Sequence, residues 1–320
     1  MLKTTMRITF CCSNTKPEPW IAGIAQAFAD AEISVWTPGA PQADFAIVWA
    51  PPQQFIDEQC SDRHGDSPGG LRCMFNIGAG VDALLRLKLP PDLLLVRLDD
   101  AGMAVQMAEY VCQAVIRHFR ELDCYERDIN AGQWTFRKPL ERSDFPIGVM
   151  GLGVLGTRVI QALQIFEFPV HGYSGSAKAI PGVRCFAGDT ELPEFLKSTR
   201  VLMNLLPLTP RTENILNFEL LSQLQPNAYL INVARGAHLV EADLLRLIEL
   251  GHMAGATLDV FRTEPLPAEH PFWQQPKITL TPHTSARTIR DQSIAQIVGK
   301  IWSLVRGEAV AGVVDIARGY

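Results

Sequence analysis

No apolar segment of the 320 residues approaches the ~20 needed to cross a bilayer. The opening MLKTTMRITFCC has too short an apolar run for a signal peptide. Basic stripes are also missing. With 29 Lys and Arg against 34 Asp and Glu, the net charge is −5 and the pI about 5.8, so neither nucleic acid nor an anionic membrane is an expected partner. Cysteine is sparse: Cys11, Cys12, Cys60, Cys73, Cys112, Cys124 and Cys185 make an odd count without a CxxC. That pattern argues against a disulfide framework and against a zinc site, so no metal is expected. Reduced thiols fit the cytoplasm best. Low-complexity segments and short repeats are absent. Apolar residues, by contrast, are abundant at 47% with a mean hydropathy of +0.07, enough for a large core in one large domain or two.

The apolar residues fall into short runs. Met6 to Cys12, Asp44 to Trp49, Cys73 to Ile77 and Leu93 to Leu98 read as strands, with a helix over Ile24 to Ala31. Asp57 to Gly70 is polar and glycine-rich, a predicted surface loop. Val105 to Asn130 has helical character without Gly or Pro, and Pro139 to Pro146 is a charged connector. Six further strands follow: Ile147 to Met150, Phe168 to Tyr173, Val201 to Leu205, Tyr229 to Asn232, Gly255 to Asp259 and Ile278 to Thr281. A last helix, Asp291 to Arg306, is placed to cross back to the first half. Such alternation predicts an α/β fold of parallel, doubly wound sheets.

MGLGVLG, Met150 to Gly156, follows one predicted strand and opens a helix. Gly151 permits the tight turn, Gly153 lets backbone approach a pyrophosphate, and Gly156 lets helix and strand pack closely. An anion would sit on N–H groups near Val154 and Leu155 at the positive helix end. A carboxylate should follow about 20 residues later to hold the ribose hydroxyls. YSGSAK, Tyr173 to Lys178, has none. The residues alone leave three readings open: weak NAD binding, NADP binding, or no dinucleotide.

Arg235 in NVARG, Glu264 in LDVFRTEP and His283 in LTPHTSA each follow a predicted strand. Ligands of open α/β sheets bind beyond the carboxyl ends of strands, so the three are expected to converge. Arg235 offers a planar fork for a carboxylate or carbonyl oxygen, and His283 can shuttle a proton near neutral pH. Glu264 is placed to bond the second ring nitrogen of His283 and fix its tautomer. His64, His118, His171, His238, His252 and His270 lack this setting and read as structural.

MGLGVLG, NLLPLTPRT, INVARGAHLVE, GATLDVFRTEPLP and TLTPHTSA, in this order, resemble the D-isomer-specific 2-hydroxyacid dehydrogenases. VWAPP, NIGAGVDALL and DIARGY look most like that family's glyoxylate/hydroxypyruvate reductase A group. The resemblance implies two Rossmann-like domains with a cleft between them. Residues 1–101 with 288–320 would bind substrate on a flavodoxin-like sheet, and 102–287 would bind the dinucleotide. It implies Arg235, Glu264 and His283 as the catalytic residues, with Ala79 and Gly80 of NIGAG gripping the substrate carboxylate through their N–H groups. Trp49 would line the substrate side. Leu206, Pro207 and Thr212 would wall the cofactor, and Asp259 would touch the nicotinamide. NAD-using members carry Asp where Ser174 stands. The arginines of the reductase group are replaced here by Gly175 and Ala177, leaving Lys178 with Ser174 and Ser176. NADPH is therefore the expected cofactor, with NADH as the alternative.

The implied reaction is reduction of a small 2-oxo acid, glyoxylate or hydroxypyruvate, to glycolate or D-glycerate. The implied assembly is a homodimer through the dinucleotide domain, with Met107 to Val115 in the matching helix. Two other readings stay open: a nucleotide-sensing corepressor of the same fold, against which the complete trio argues, and a phosphoglycerate dehydrogenase-type enzyme.

Overall fold

The computed structural model describes residues 5–61 and 70–320. The chain divides into two compact units, Met1–Gly102 with Arg287–Tyr320, and Met103–Ala286.

The first unit contains β1 (Arg7–Cys12), α1 (Glu18–Ala25), β2 (Glu32–Val35), β3 (Phe45–Trp49), α2 (Gln53–Gln59), β4 (Cys73–Asn76) and β5 (Leu94–Arg97). Its strands are all parallel in the order β2-β1-β3-β4-β5, the flavodoxin-like doubly wound order. Central strands such as β3 and β4 are apolar runs because helices and loops cover both faces. The helix expected at Ile24 to Ala31 instead spans Glu18–Ala25. Pro17 and Pro19 explain the shift, since the first turn of a helix needs no N–H donors. The predicted loop from Asp57 to Gly70 is helical through Gln59. Its stretch 62–69, with His64, lies outside the described residues.

The second unit continues with α3 (Met103–Phe119), α4 (Leu122–Asn130), β6 (Ile147–Met150), α5 (Val154–Ile165), β7 (Val170–Ser174), β8 (Arg184–Ala187) and α6 (Gly188–Lys197). It is completed by β9 (Val201–Asn204), α7 (Phe218–Leu221), β10 (Ala228–Asn232), α8 (Glu241–Glu249), β11 (Met253–Leu258) and β12 (Ile278–Leu280). The order β12-β11-β10-β9-β6-β7-β8 is a parallel, doubly wound sheet of seven strands, one more than expected. The single helical stretch expected from Val105 is two helices, broken where Glu121 takes φ 51°. Two apolar clusters flank this sheet, one around Phe195, Leu216 and Leu244, the other around Val111, Ile160 and Ile231.

The final helix, α9 (Arg290–Val305), belongs to the first unit. Ile294, Ile297 and Ile301 join Ile8, Trp20 and Ile24 in its core. A Cβ on Gly23 would sit 2.8 Å from Ile294 Cδ1, so α1 and α9 pack closely here and a larger residue would displace that side chain. The tail is tied down by Lys300, whose Nζ donates to Arg97 O, Asp99 Oδ2 and Ala311 O. No helix of the described residues is long and apolar enough to cross a membrane.

Candidate active site

The glycine loop joins β6 to α5. Gly151 takes φ +104°, and a Cβ there would lie 2.6 Å from Leu205 O. A Cβ on Gly156 would meet Gly151 O at 1.9 Å, so the helix can close on the turn only without one. Gly153 differs, because nothing in the protein lies within 4 Å of where its Cβ would be. Protein packing does not demand glycine there, whereas close approach of a ligand does. Val154 is half exposed at the first turn of α5, where free N–H groups favour an anion. These residues fit a dinucleotide pyrophosphate.

YSGSAK begins at the last two residues of β7. Ser174 is buried, and its hydroxyl donates to Ser176 O at 2.6 Å. That bond folds the turn and uses the donor that a ligand would otherwise receive. Ser176 and Lys178 are exposed, and Lys178 makes no ion pair among the described residues.

The loop after β9 carries the expected cofactor wall. Leu206 is buried and Pro207 half-buried. Thr212 Oγ1 donates to Pro207 O at 2.7 Å and accepts from Thr209 N at 2.8 Å, so it shapes the wall from behind. Sequence reasoning missed what braces this loop. Asn204, Asn232 and His238 are fully buried. The Asn204 amide donates to Asn232 Oδ1 at 3.0 Å and to His238 Nδ1 at 2.9 Å. Accepting at Nδ1 makes Nε2 the protonated nitrogen, which donates to Pro207 O at 3.2 Å. Asn232 Nδ2 in turn donates to Arg235 O at 3.1 Å. One buried polar network therefore holds both the wall and the Arg235 loop. The signal for it was an asparagine ending two neighbouring strands.

The expected trio sits beyond three consecutive strands of the sheet. Arg235 follows β10, Glu264 follows β11 and His283 follows β12. Gly236 presses the first loop against the second: a Cβ there would lie 1.8 Å from Phe261 C. The Phe261 N–H donates to Glu264 Oε1 at 2.9 Å, leaving Oε2 to meet His283 Nδ1 at 2.8 Å. An ionised carboxylate only accepts, so Nδ1 carries the proton and Nε2 is the nitrogen left to a ligand. Arg235 is half-buried and its Nη1 also donates to Ala234 O at 2.7 Å.

Asp259, expected at the nicotinamide, is fully buried with both carboxylate oxygens engaged. Oδ1 accepts from Thr281 Oγ1 at 2.6 Å and Thr284 N at 2.8 Å, and Oδ2 from Ser285 N at 2.8 Å. Its main-chain oxygen accepts from His283 N at 2.8 Å. Asp259 thus builds the seat of His283, which holds φ 52°.

In the first unit, NIGAG follows β4. Asn76, buried, donates to Gly78 O and Gly80 O at 2.9 Å each. In a trans peptide the N–H points opposite to the C=O. The Ala79 and Val81 N–H groups therefore point away from Asn76. Trp49, 38% exposed at the end of β3, lies on this loop: a Cβ on Gly78 would be 2.3 Å from Trp49 Cζ3.

Residues 112–285 match the family model described as D-isomer specific 2-hydroxyacid dehydrogenase, NAD binding domain. The chain belongs to this family and is a 2-hydroxyacid dehydrogenase. Among particular relatives, glyoxylate/hydroxypyruvate reductase A of Serratia proteamaculans (strain 568) is 44% identical over 322 residues, covering 98% of this chain and 100% of the relative. The protein of that name from Escherichia fergusonii is 44% identical over 308 residues, covering 94% and 96%. A D-isomer specific 2-hydroxyacid dehydrogenase from Xanthobacter autotrophicus Py2, solved in complex with NADPH and MES, is similar with TM-score 0.90 and 35% identity, covering 99% of this chain and 100% of that one. The NADPH-dependent glyoxylate/hydroxypyruvate reductase of Sinorhizobium meliloti, solved with NADP and sulfate, is similar with TM-score 0.89 and 32% identity, again covering 99% and 100%.

Proposed function

We propose that this chain catalyses the NADPH-dependent reduction of glyoxylate or hydroxypyruvate to glycolate or D-glycerate. The observation that carries the reading is the 2.8 Å His283–Glu264 pair, which joins the loops after β12 and β11 beside the Arg235 loop after β10 on a dinucleotide-binding sheet. When bound, the nicotinamide supplies a hydride for C2 of the oxo acid. His283 acts as the imidazolium: its Nε2 proton goes to the carbonyl oxygen, and the Nδ1 proton stays on the ring, donated to Glu264, which leaves the neutral ring as the Nδ1–H tautomer. Arg235 polarises the same oxygen and orients the carboxylate. Ala79 and Gly80 offer backbone N–H groups to that carboxylate, and Trp49 lines the substrate beside them. The first unit is assigned to substrate and the second to cofactor. Replacing His283 by alanine is expected to cut kcat by about 10²- to 10⁴-fold. NADPH binding, read by fluorescence titration, should survive. Near-normal turnover would overturn the assignment.

The cofactor reading rests on relatives solved with NADPH or NADP and on the missing acid at Ser174. No carboxylate there repels a 2′-phosphate, and Lys178 stands exposed with its charge uncommitted by any ion pair among the described residues. Lys178→Ala should raise the Michaelis constant for NADPH while leaving that for NADH unchanged. Equal wild-type efficiency with the two cofactors would refute the preference.

The protein works as a homodimer in the cytoplasm on this reading. Trp134 and Phe136, 93% and 86% exposed in the second unit, support the dimer, and seven free thiols support the compartment.

A further inference from the structure

Thr281 stands two residues before His283 and has one hydroxyl hydrogen. Asp259, as a carboxylate, only accepts, so that hydrogen goes to Asp259 Oδ1 at 2.6 Å. The second contact of Thr281 Oγ1 is Tyr110 Oη at 2.5 Å. With its own hydrogen committed, Thr281 accepts and Tyr110 donates. The direction of the whole chain is fixed: Tyr110 to Thr281 to Asp259. Tyr110 lies on α3, 171 residues away in sequence, and reaches this loop from outside the strands that form it. Burial foremost pushes its phenol up to about 12, with the Asp259 charge adding to the effect, so it stays a donor across the working range of pH.

Asp259 ties down four residues of the His283 turn. Thr281, Thr284 and Ser285 are bonded to its carboxylate and His283 to its main-chain oxygen. A histidine held at φ 52° is in a backbone region that persists only where the surroundings fix it. The phenol is the outermost member of that clamp.

We infer that Tyr110 is a positioning residue for the reaction, acting through Thr281 and Asp259 to hold His283 in line with Glu264. The inference rests on the role proposed above for His283. Loss of the phenol hydroxyl leaves the Thr281 oxygen without its donor, and the His283 turn gains freedom at the nitrogen that delivers the proton.

Tyr110→Phe tests this. Expected are a fall in kcat of about tenfold, an unchanged NADPH dissociation constant, and a larger solvent deuterium isotope effect on kcat as proton delivery slows. A ring that merely fills space would leave kcat and the isotope effect as they are, whatever the melting temperature, and that result would overturn the inference. Thr281 supplies the second variant should Tyr110→Phe fail to fold. Thr281→Ser keeps the hydroxyl and should keep wild-type kcat, whereas Thr281→Val should show the loss; equal activity of the two would overturn the inference. His283→Ala separates the layers: if it abolishes turnover while Tyr110→Phe changes neither kcat nor isotope effect, only the role of Tyr110 falls.

Discussion

Gly78 offers a test of the proposed role of NIGAG in holding substrate. Trp49 covers the space its Cβ would fill, at 2.3 Å, and Asn76 fixes the carbonyl on its other side. Gly78→Ala must therefore displace the indole or bend NIGAG. The expected outcome is a three- to tenfold rise in KM for glyoxylate, with the NADPH dissociation constant unchanged because the glycine loop is untouched. Steady-state kinetics at saturating NADPH would check it. At this scale the sequence was most informative where chemistry forces a residue type at the end of a strand. Glu264 and His283 were legible for that reason and lie 2.8 Å apart. Asn204, Asn232 and His238 were not, because what distinguishes them is complete burial together, which no local spacing encodes. Asp259 was expected only as a nicotinamide contact. That its carboxylate clamps residues 281–285 depends on β11 and β12 being neighbours.

Elements were legible in proportion to their burial. Central strands such as β6 and β10 are wholly buried: β6 carries no polar side chain, and β10 is closed at its end by Asn232. The two overlooked strands, β2 and β8, are sheet edges with mostly exposed or half-buried residues, and no apolar run marks them. The division between α3 and α4 was equally hidden, since neither Gly nor Pro marks it. The end of α3 also stores a pH dependence. His118 stacks on Tyr229 with ring centroids 3.9 Å apart, and burial foremost pushes its pKa down to about 4. In the unfolded chain an imidazole titrates near 6.5. Between these values the unfolded chain holds a proton that the folded one does not, so stability falls as pH drops from about 6.5 to about 4. The loss from this one group approaches about 3 kcal/mol at the acid end. Above pH 6.5 both states are neutral and His118 adds no slope. His118→Phe keeps a ring on Tyr229 and removes the proton. Urea midpoints measured from pH 4 to 7 should show a shallower decline for the variant. An identical decline in the two proteins would place the acid sensitivity elsewhere.

At the scale of the whole molecule, α4 and the segment after it pose a packing question. Not one residue of α4 is buried, yet Leu122 and Ile129 expose apolar side chains beside a groove they share with Tyr125 and Glu126. Trp134 and Phe136 follow, almost fully exposed. The segment is nonetheless ordered by its own bonds. Arg137 pairs with Asp128 at 2.7 Å, its N–H donates to Tyr125 Oη at 3.1 Å, and its guanidinium lies over the Tyr125 ring. Arg117 and Glu126 join α3 to α4. An arm preorganised to hold two large aromatic side chains in water makes physical sense if another surface covers them. Burying each contributes about 1.5–3 kcal/mol, enough for the pair to decide an association. A second copy of the chain is the proposed cover. The wild-type protein should elute by light scattering at near twice its 35.4 kDa, and Trp134→Ser combined with Phe136→Ser should shift it toward the single-chain mass at micromolar concentration. Because the arm is held by Arg137 rather than by the aromatics, the double variant should keep its helical circular dichroism. A wild-type protein that runs at 35.4 kDa at all concentrations would exclude the dimer and leave the two aromatic side chains to a different partner.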